Sequence, residues 1–318
     1  LMVLCACGGN GDTDIDGGDN DSGTNNDVVT NDVTTNDVVT NDVVTQDAPA
    51  DVSTFNPATV SGLVLWLEAD VTSSITLATP DAGPQKVTKW ADQTSHKNDA
   101  NGLLQNFGRD PSVKANAINK LPAVHFDQGA PNAQGQMLNV LDNTDTSLQW
   151  GTGDFFLAVV GDFDNNTSNG QNEGVGLFYS KATASGSNSP PVGLYLYGNV
   201  PALAVNPTVG MIFATSSTPN DFVTTQTAYN NGNAHLFAIR RRGAKLDLLV
   251  DGASVASSTS NTVDVSAAKI GVRIGADGDA NIYRLDGDIG EMMAVKGVLS
   301  QSDEQSLGAY LKAKWATP

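Results

Sequence analysis

The chain has 318 residues with 17 Lys and Arg against 35 Asp and Glu, which gives a formal net charge of −18 at pH 7. A chain this acidic repels a phosphate backbone, so we expect no nucleic-acid partner. Both cysteines, Cys5 and Cys7, lie at the start of the chain, so the rest folds without a disulfide.

The opening residues LMVLCAC predict a lipoprotein processing site. An apolar run ends at Leu4, three positions before Cys7, and a small residue stands directly before that cysteine. This pattern resembles the bacterial lipobox. The resemblance implies cleavage before Cys7, a lipid on its sulfur, and residues 1–6 as a signal-peptide remnant. The alternative is a short secretory signal with two incidental cysteines.

Residues 7–52 predict a disordered acidic tether. The segment contains eleven Asp and no Lys or Arg, and a unit of the type NDVVT is written four times over 26–45. A period of five residues matches neither the two-residue period of a strand nor the turn of a helix. A pentapeptide β-solenoid is the ordered alternative, but four copies make only about one coil.

Residues 53–318 predict an all-β domain, because short apolar runs alternate with Gly, Asn, Asp and Pro. Many strands without alternating helices favour a two-sheet antiparallel sandwich. Asp251-Gly252 predicts a two-residue hairpin turn, and apolar residues on both faces of 285–295 predict a central strand. Strands are expected at 63–69, 87–92, 123–127, 155–163, 174–180, 192–198, 235–241, 245–251, 269–275 and 285–295.

One helix is predicted, over SQSDEQSLGAYLKAKW at the C-terminal end. Ser300 suits the N-cap, and Asp303 follows three residues later, as in a capping box. The apolar stripe that should pack on the sandwich is formed by Leu307, Tyr310, Leu311 and Trp315.

Several of these segments carry a family resemblance: GLVLWLEADVTSS, the run Trp90-x-Asp92-Gln93-x-Ser95, KANAINKLPAVHFD, GDFFLAVVGDF and LDGDIGEMMAVKGVLSQSDEQSLGAYLKAKW. They resemble bacterial laminin-G-like jelly-roll domains of the concanavalin A-like lectin/glucanase superfamily. The resemblance implies two curved antiparallel sheets in a jelly roll, extracellular placement, and binding or adhesion more often than catalysis. The sequence departs from that pattern at 94–97, where a Gly-rich turn is expected.

The superfamily also includes glucanases, whose catalytic members carry two Glu close together on one strand. Glycoside hydrolysis needs two carboxylates across the scissile bond. The four Glu of this chain are Glu68, Glu173, Glu291 and Glu304, and no two lie within one strand. Glu291 alternates with Ile289 and Met293 and is the candidate acid, but a structural carboxylate is favoured. We therefore expect no catalysis, with a glycoside hydrolase as the alternative.

The stretch DFDNNTSNGQNE predicts a candidate calcium loop, and Ca²⁺ is the single candidate cofactor. Its oxygen-bearing positions follow calcium spacing, although Thr167 stands where Gly normally makes the turn. A plain Asp- and Asn-rich hairpin loop is the alternative. The candidate ligands are Asp162, Asp164, Asn166, Ser168, Gly170 and Glu173.

Tyr195 and Tyr197 are the candidate ligand-binding residues. They share one face of a predicted strand about 7 Å apart, a spacing that suits stacking on successive sugar rings. Aromatic packing is the alternative for this pair. Trp66 and Trp90 are expected in the core, and Arg240–Arg242 is expected in a solvated turn.

Together these features predict a surface-anchored lipoprotein whose domain binds a glycan or another surface protein. It is expected as a monomer in the bacterial cell envelope, facing outward from the outer membrane or cell surface. A structural spacer domain without a ligand is the third possibility. Loop geometry decides the ligand, so the sequence does not identify it.

Overall fold

The structure is a computed structural model. It describes residues 55–78, 85–102, 109–129, 135–141, 146–164, 176–182, 193–198, 223, 225, 227, 229–259, 264–267, 270–276 and 284–318. For four of these residues it describes the backbone only, namely Leu177, Ala182, Gly193 and Tyr197. The predicted lipidation site Cys7 and the predicted tether lie outside the described residues.

The described strands form two antiparallel sheets, one of eight strands and one of seven. The first sheet contains β1 (Leu63–Glu68), β5 (Ser112–Ile118), β6 (Leu121–Phe126), β8 (Phe155–Gly161), β11 (His235–Arg242), β12 (Lys245–Val250), β13 (Ala253–Ser258) and β15 (Gly287–Lys296). The second contains β2 (Ile75–Leu77), β3 (Val87–Trp90), β4 (Ala100–Asn101), β7 (Leu138–Val140), β9 (Leu177–Ala182), β10 (Gly193–Tyr197) and β14 (Val272–Ile274).

The strand order of the first sheet is β13-β12-β11-β8-β15-β6-β5, and β1 pairs with β15 beside β6. The order of the second sheet is β10-β9-β14-β7-β4-β3-β2. Strand β15 lies inside its sheet, between β8 on one side and β6 with β1 on the other. The predicted central position of this strand is therefore confirmed.

Apolar side chains form two layers, one on each side of the first sheet. The layer between the two sheets contains residues such as Leu157, Val159 and Met292. The layer on the outer face of the first sheet contains their chain neighbours Ala158 and Met293. Strands β8 and β15 are apolar on both faces because each face packs against its own layer.

Helix α1 (Gln301–Trp315) covers the outer layer, and its ends follow the predicted signals. Ser300 is the N-cap, where its Oγ accepts a hydrogen bond from the Asp303 N–H at 3.1 Å. The helix side chains buried against the first sheet are Leu307, Leu311 and Trp315. Among the described residues, no helix has the length and apolar character needed to cross a lipid bilayer.

The predicted two-sheet antiparallel sandwich with one C-terminal helix is confirmed. The predicted hairpin turn is also present, with left-handed backbone at both Asp251 (φ 52°) and Gly252 (φ 82°) between β12 and β13. Four strands were missed, namely β2, β4, β5 and β7. Three of them have only two or three residues, too few to show a period.

The predicted solvated turn at Arg240–Arg242 is wrong. These residues end strand β11, and Arg241 is fully buried. Its guanidinium donates to the Gly153 and Gly151 carbonyl oxygens at 2.8 and 2.7 Å and lies 4.9 Å from the centre of the Phe155 ring. Arg241 therefore holds the turn at Gly151 and Gly153 against the first sheet through these hydrogen bonds.

Candidate functional site

The predicted tyrosine pair lies on strand β10 at the edge of the second sheet. Tyr195 is 1 % exposed, while its neighbours Leu194 and Leu196 lie in the core between the sheets. The Tyr195 ring is thus on the outer side of this sheet but buried there. The side chain of Tyr197 is outside what the structure describes, so sugar stacking on the pair stays a prediction.

One polar residue from each of the seven strands of the second sheet belongs to an unbroken row, which we call the polar row. Each member is the register partner of the next, and in spatial order they are Thr76, Lys89, Asn101, Asn139, Arg273, Ser180 and Tyr195. Chain neighbours such as Val140 and Val272 face the core, so alternation directs the row outward. Six steps of about 4.8 Å between strands make the row about 29 Å long.

Exposure decreases along the polar row. Thr76 is exposed, the next four members are half-buried, and Ser180 and Tyr195 are 0 % and 1 % exposed. The accessible part offers a hydroxyl, an ammonium, two carboxamides and a guanidinium, which supply both hydrogen-bond donors and acceptors. Because the backbone register sets their spacing, these groups are held at regular intervals on a rigid surface.

Two neighbouring residues position the side chains of the row. The Lys89 ammonium lies 2.5 Å from a carboxylate oxygen of Asp99, and the Asn101 amide donates to the Asp99 carbonyl oxygen at 2.8 Å. A Cβ at Gly271 would lie 2.6 Å from Asn139 Oδ1, so the missing side chain there makes room for the Asn139 amide. The row is therefore supported by local contacts as well as by register.

Sequence reasoning missed every member of the row except Tyr195. The signal was present in Leu138-Asn139-Val140 and Val272-Arg273-Ile274, where one polar residue stands between two core residues. Over the three residues of β7 that alternation is too short to identify a strand, and the predicted strand 269–275, which contains β14, carries no sign of its partners. Only the pairing of the strands shows that these isolated polar residues lie side by side.

The candidate calcium loop is described only at its start. Asp162 and Asp164 are within the described residues, and the other four candidate ligands, Asn166, Ser168, Gly170 and Glu173, are not. Burial, helped by the charge of Asp288, raises the pKa of Asp162 to about 6, although one of its oxygens accepts the Asp288 N–H at 2.9 Å. Within the described ranges, no three His, Cys, Asp or Glu side chains are grouped so that they could hold a metal ion.

Two of the four glutamates meet across strands, which sequence spacing did not indicate. Glu68 of β1 is the register partner of Glu291 of β15. A register irregularity between Ile289 and Glu291 places Ile289 in the core and Glu291 on the helix side with Met293. The expectation that Glu291 shares a face with Ile289 is therefore wrong.

The Glu291 carboxylate is fully buried under helix α1 and accepts hydrogen bonds at both oxygens. Trp66 Nε1 donates to one oxygen at 2.8 Å, and Trp315 Nε1 donates to the other at 2.7 Å. The Lys314 ammonium lies 3.1 Å from Glu291, contacts Glu68, and lies 2.8 Å from Asp70. We call Glu68, Asp70, Glu291 and Lys314 the buried ion cluster.

Three carboxylates surround one ammonium in this cluster, and burial sets its electrostatics. Burial raises the pKa of Glu291 to about 7, against the opposing effects of Lys314 and the two indole N–H groups. Burial would lower the pKa of Lys314, but the carboxylates around it prevail and raise it. The cluster therefore keeps its ammonium charged, while Glu291 titrates near neutral pH.

Comparison with known proteins gives no match to a family model and no match to a curated protein. Among solved structures, the binding domain of Paraclostridial Mosquitocidal Protein 1 is similar, with 11% identity, a TM-score of 0.48, and coverage of 78% of this chain and 52% of that one. A GH54 α-L-arabinofuranosidase soaked with a cyclic sulfate inhibitor has 14% identity, a TM-score of 0.48, and coverage of 80% and 60%. This chain thus spans about half to three-fifths of those two proteins.

A third similar structure is domain 4 of an extracellular GH43 arabinanase from Geobacillus stearothermophilus, in complex with arabinotriose. It has 12% identity and a TM-score of 0.49, and the match covers 78% of this chain and 99% of that domain.

Proposed function

We propose that the domain binds a carbohydrate chain along the polar row of the second sheet, without cleaving it, on a lipoprotein that faces outward from a bacterial cell envelope. The observation that supports this proposal is the unbroken row of seven register partners, all polar. The accessible part of the row, from Thr76 to Arg273, is four strand steps or about 19 Å long, and its regularly spaced donors and acceptors suit an extended polymer of hydroxyl groups.

The chemistry of the row favours a glycan over a protein partner. A stable protein interface normally has an apolar or aromatic centre. The accessible members of the row, from Thr76 to Arg273, include no apolar side chain. Amides, hydroxyls and charged groups held at fixed spacing can instead share hydrogen bonds with successive sugar hydroxyls.

A glycoside hydrolase remains the alternative, because Glu68 and Glu291 are cross-strand partners. The burial of both side chains, 7% and 0% exposed, supports the non-catalytic proposal. Both oxygens of Glu291 are engaged by indole N–H groups of Trp66 and Trp315. A general acid needs a substrate oxygen within hydrogen-bonding distance, and helix α1 occupies that space.

Retention of the full-length chain on a panel of insoluble polysaccharides tests binding, and reducing-sugar release on the same panel tests catalysis. We expect retention on at least one polymer and no release. Asn139→Ala and Lys89→Ala should each weaken retention by about 3- to 10-fold, the effect of one or two lost hydrogen bonds. Asn233→Ala changes an exposed asparagine in the loop before strand β11 of the first sheet; it is the matched control and should bind like wild type.

Three results would contradict the proposal. Retention that Asn139→Ala and Lys89→Ala leave unchanged would place the glycan elsewhere. Retention on no polymer would favour a spacer domain or a protein ligand. Sugar release that Glu291→Gln abolishes would establish the hydrolase.

Anchoring is proposed from the lipobox-like residues before Cys7. Membrane fractionation of the precursor should find wild type with the membranes and Cys7→Ala in the soluble fraction. Equal membrane retention of both proteins would contradict the proposed lipid attachment at Cys7. Surface access of a protease to the domain, in intact cells, tests whether it faces outward.

A further inference from the structure

A cavity of about 350 Å³ lies away from the polar row, beside strand β1 of the first sheet. One wall is apolar and is formed by Val60 and Leu63, which follow the 3₁₀ turn at Pro57–Thr59. The half-buried indole of Trp66 forms another part of the lining. We call this space the Trp66 cavity.

Another part of the lining of the Trp66 cavity is polar and comes from the loop after β3. Gln93, Thr94, Ser95 and His96 line it. This loop contains the segment in which the sequence departs from the Gly-rich turn of the laminin-G-like pattern. The Ser95 hydroxyl and the Gln93 carbonyl oxygen have no hydrogen-bond partner among the described residues and are available to a ligand.

The polar wall is held rigidly by one buried carboxylate, that of Asp92, which is 2 % exposed. One of its oxygens accepts the N–H groups of Trp66 and Thr94 at 2.9 and 3.0 Å. The other accepts the Thr94 hydroxyl at 2.6 Å and the Asn98 N–H at 2.9 Å. The loop is therefore ordered before any ligand arrives, which lowers the entropic cost of binding.

The aromatic wall is held from behind by the buried ion cluster. Trp66 Nε1 donates to Glu291 at 2.8 Å, and the Gln93 amide N–H donates to Glu68. These contacts turn the polar edge of the indole away from the solvent and fix the orientation of its ring. Because Glu68 can only accept, the Gln93 carbonyl oxygen is left for other partners.

We propose that the Trp66 cavity binds one neutral sugar ring, as a free monosaccharide or as the end of a chain. A sugar ring has an apolar C–H face and a rim of hydroxyl groups. The indole of Trp66 can pack against the apolar C–H face of the ring. The amide of Gln93 and the hydroxyl of Ser95 can form hydrogen bonds with its hydroxyl groups. The cavity thus combines one aromatic surface with several polar groups, as this kind of ligand requires.

Size and charge narrow the class of ligand. The volume lies at the small end of the range of about 300–1,000 Å³ for ligand sites, so it suits one ring and not a chain. No Lys, Arg, Asp or Glu is among the residues that line the cavity. Apart from a pairing with His96, a charged ligand would lose hydration there without gaining an ion pair, so a neutral ring is favoured.

This site does not depend on glycan binding by the polar row, and the two are tested separately. The four tryptophans provide a selective probe, because Trp90, Trp150 and Trp315 are at most 2% exposed and Trp66 is half-buried. Acrylamide should therefore quench the fluorescence of Trp66 far more than that of the other three. Ligand in the cavity should reduce this quenching.

The experiment titrates the full-length chain with glucose, galactose, arabinose and N-acetylglucosamine at millimolar concentration, and with glucuronate as the charged comparison. We expect at least one neutral sugar to protect Trp66 from acrylamide and glucuronate to protect it less. Ser95→Phe, which places a fluorescence-silent ring at the cavity rim, should weaken protection at least about tenfold. Ser257→Phe on the edge strand β13 is the matched control and should behave like wild type.

Protection by no neutral sugar, or protection that Ser95→Phe leaves unchanged, would overturn the proposal. Protection by indole or phenol but by none of the sugars would show that the cavity takes an aromatic ligand. If Ser95→Phe fails to fold, the indole N–H signal of Trp66 in the NMR spectrum of wild type gives the same test. That signal should shift with a neutral sugar and should remain unmoved if the proposal is wrong.

Discussion

The outer faces of the two sheets have opposite character. On the first sheet, strands β8 and β15 present apolar side chains outward, and helix α1 covers them with Leu307, Leu311 and Trp315. On the second sheet, the outward residues are polar and several are accessible. One sheet is thus covered by its own helix, while the other leaves hydrogen-bonding groups accessible.

The two outer faces also differ in their buried charged groups. The covered face contains the buried ion cluster, whose carboxylates are engaged by Lys314 and by two indole N–H groups. Groups so fully engaged stabilise the attachment of helix α1 and are poorly available to a ligand. The accessible face carries groups whose contacts are mostly local, such as the Lys89–Asp99 pair.

Among the substitutions on the covered face, Lys314→Ala should cause the largest loss of stability. It leaves Glu68 and Glu291 buried without their cation, so we expect a loss of about 3–5 kcal/mol in the free energy of unfolding at pH 8. The loss should be smaller at pH 5, where Glu291 can protonate. Urea unfolding at the two pH values measures both.

Lys312→Ala is the matched control on the same helix. Among the described residues, the Lys312 ammonium donates only to the Asp251 carbonyl oxygen, at 3.2 Å, so about 1 kcal/mol or less should be lost. Equal losses for Lys312→Ala and Lys314→Ala would mean that the cluster does not hold the helix in place.

Two glycine substitutions should have opposite signs at the covered face. A Cβ at Gly290 would lie 2.7 Å from the buried ring of Trp315, so Gly290→Ala should destabilise by an amount near the upper end of about 1–3 kcal/mol. A Cβ at Gly308, inside helix α1, would meet no heavy atom of the described residues within 4 Å beyond the helix's own backbone. Gly308→Ala should therefore stabilise by about 0.5–1 kcal/mol.

Thermal melting of Gly290→Ala and Gly308→Ala, compared with wild type, measures these two changes in stability. Unchanged stability in Gly290→Ala would show that Trp315 has room to move, and that the outer layer is less tightly packed than the structure indicates.

The pH dependence of stability should differ in sign between two buried carboxylates of strand β15, Glu291 and Asp288. The pKa of Glu291 is about 7 in the folded chain and 4.5 for an unperturbed Glu, so the folded state binds more protons between these values. Its contribution to stability is present at acid pH and is lost as pH rises from 4.5 to about 7. Relative to Glu291→Gln, wild type should lose on the order of 2 kcal/mol between pH 5 and pH 8.

Asp288→Asn tests a carboxylate whose effect on the pH dependence of stability should have the opposite sign to that of Glu291. Burial would raise the pKa of Asp288, but hydrogen bonds from His125 and Lys114 outweigh burial and lower it. That contribution is present at neutral pH and is lost as pH falls. Urea unfolding across the pH range should give opposite slopes for the two differences, and slopes of the same sign would contradict both assignments.

Calcium tests whether the loop that follows strand β8, at one end of the first sheet, binds a ligand. At about ten times the dissociation constant, a cation at the loop from Asp162 to Glu173 would add about 1.4 kcal/mol, a melting shift of roughly 2–4 °C. Affinity should be weak, about 10⁻⁴–10⁻³ M, because Thr167 replaces the turn glycine. Glu173→Gln should abolish the shift in melting temperature. An equal shift in that variant would contradict calcium binding by Glu173 and favour an ordinary Asp-rich loop.

Local sequence signals predicted the elements that extend over several residues. Helix α1 was predicted because its N-cap at Ser300 and its apolar stripe lie within sixteen consecutive residues. The turn at Asp251-Gly252 was predicted because those two residues tolerate the left-handed backbone it needs. Strands as short as β4, with two residues, were missed because pairing with their neighbours is what defines them.

The amino-acid sequence by itself determined that the domain is an all-β sandwich with a C-terminal helix, since periodicity and turn residues act over short distances. Only the tertiary structure decided which polar groups meet. Asn101 lies beside Asn139, and Glu68 beside Glu291, through strand register between distant parts of the chain. Register depends on the packing of the whole sheet, and a shift of one residue would turn each of these side chains to the other face.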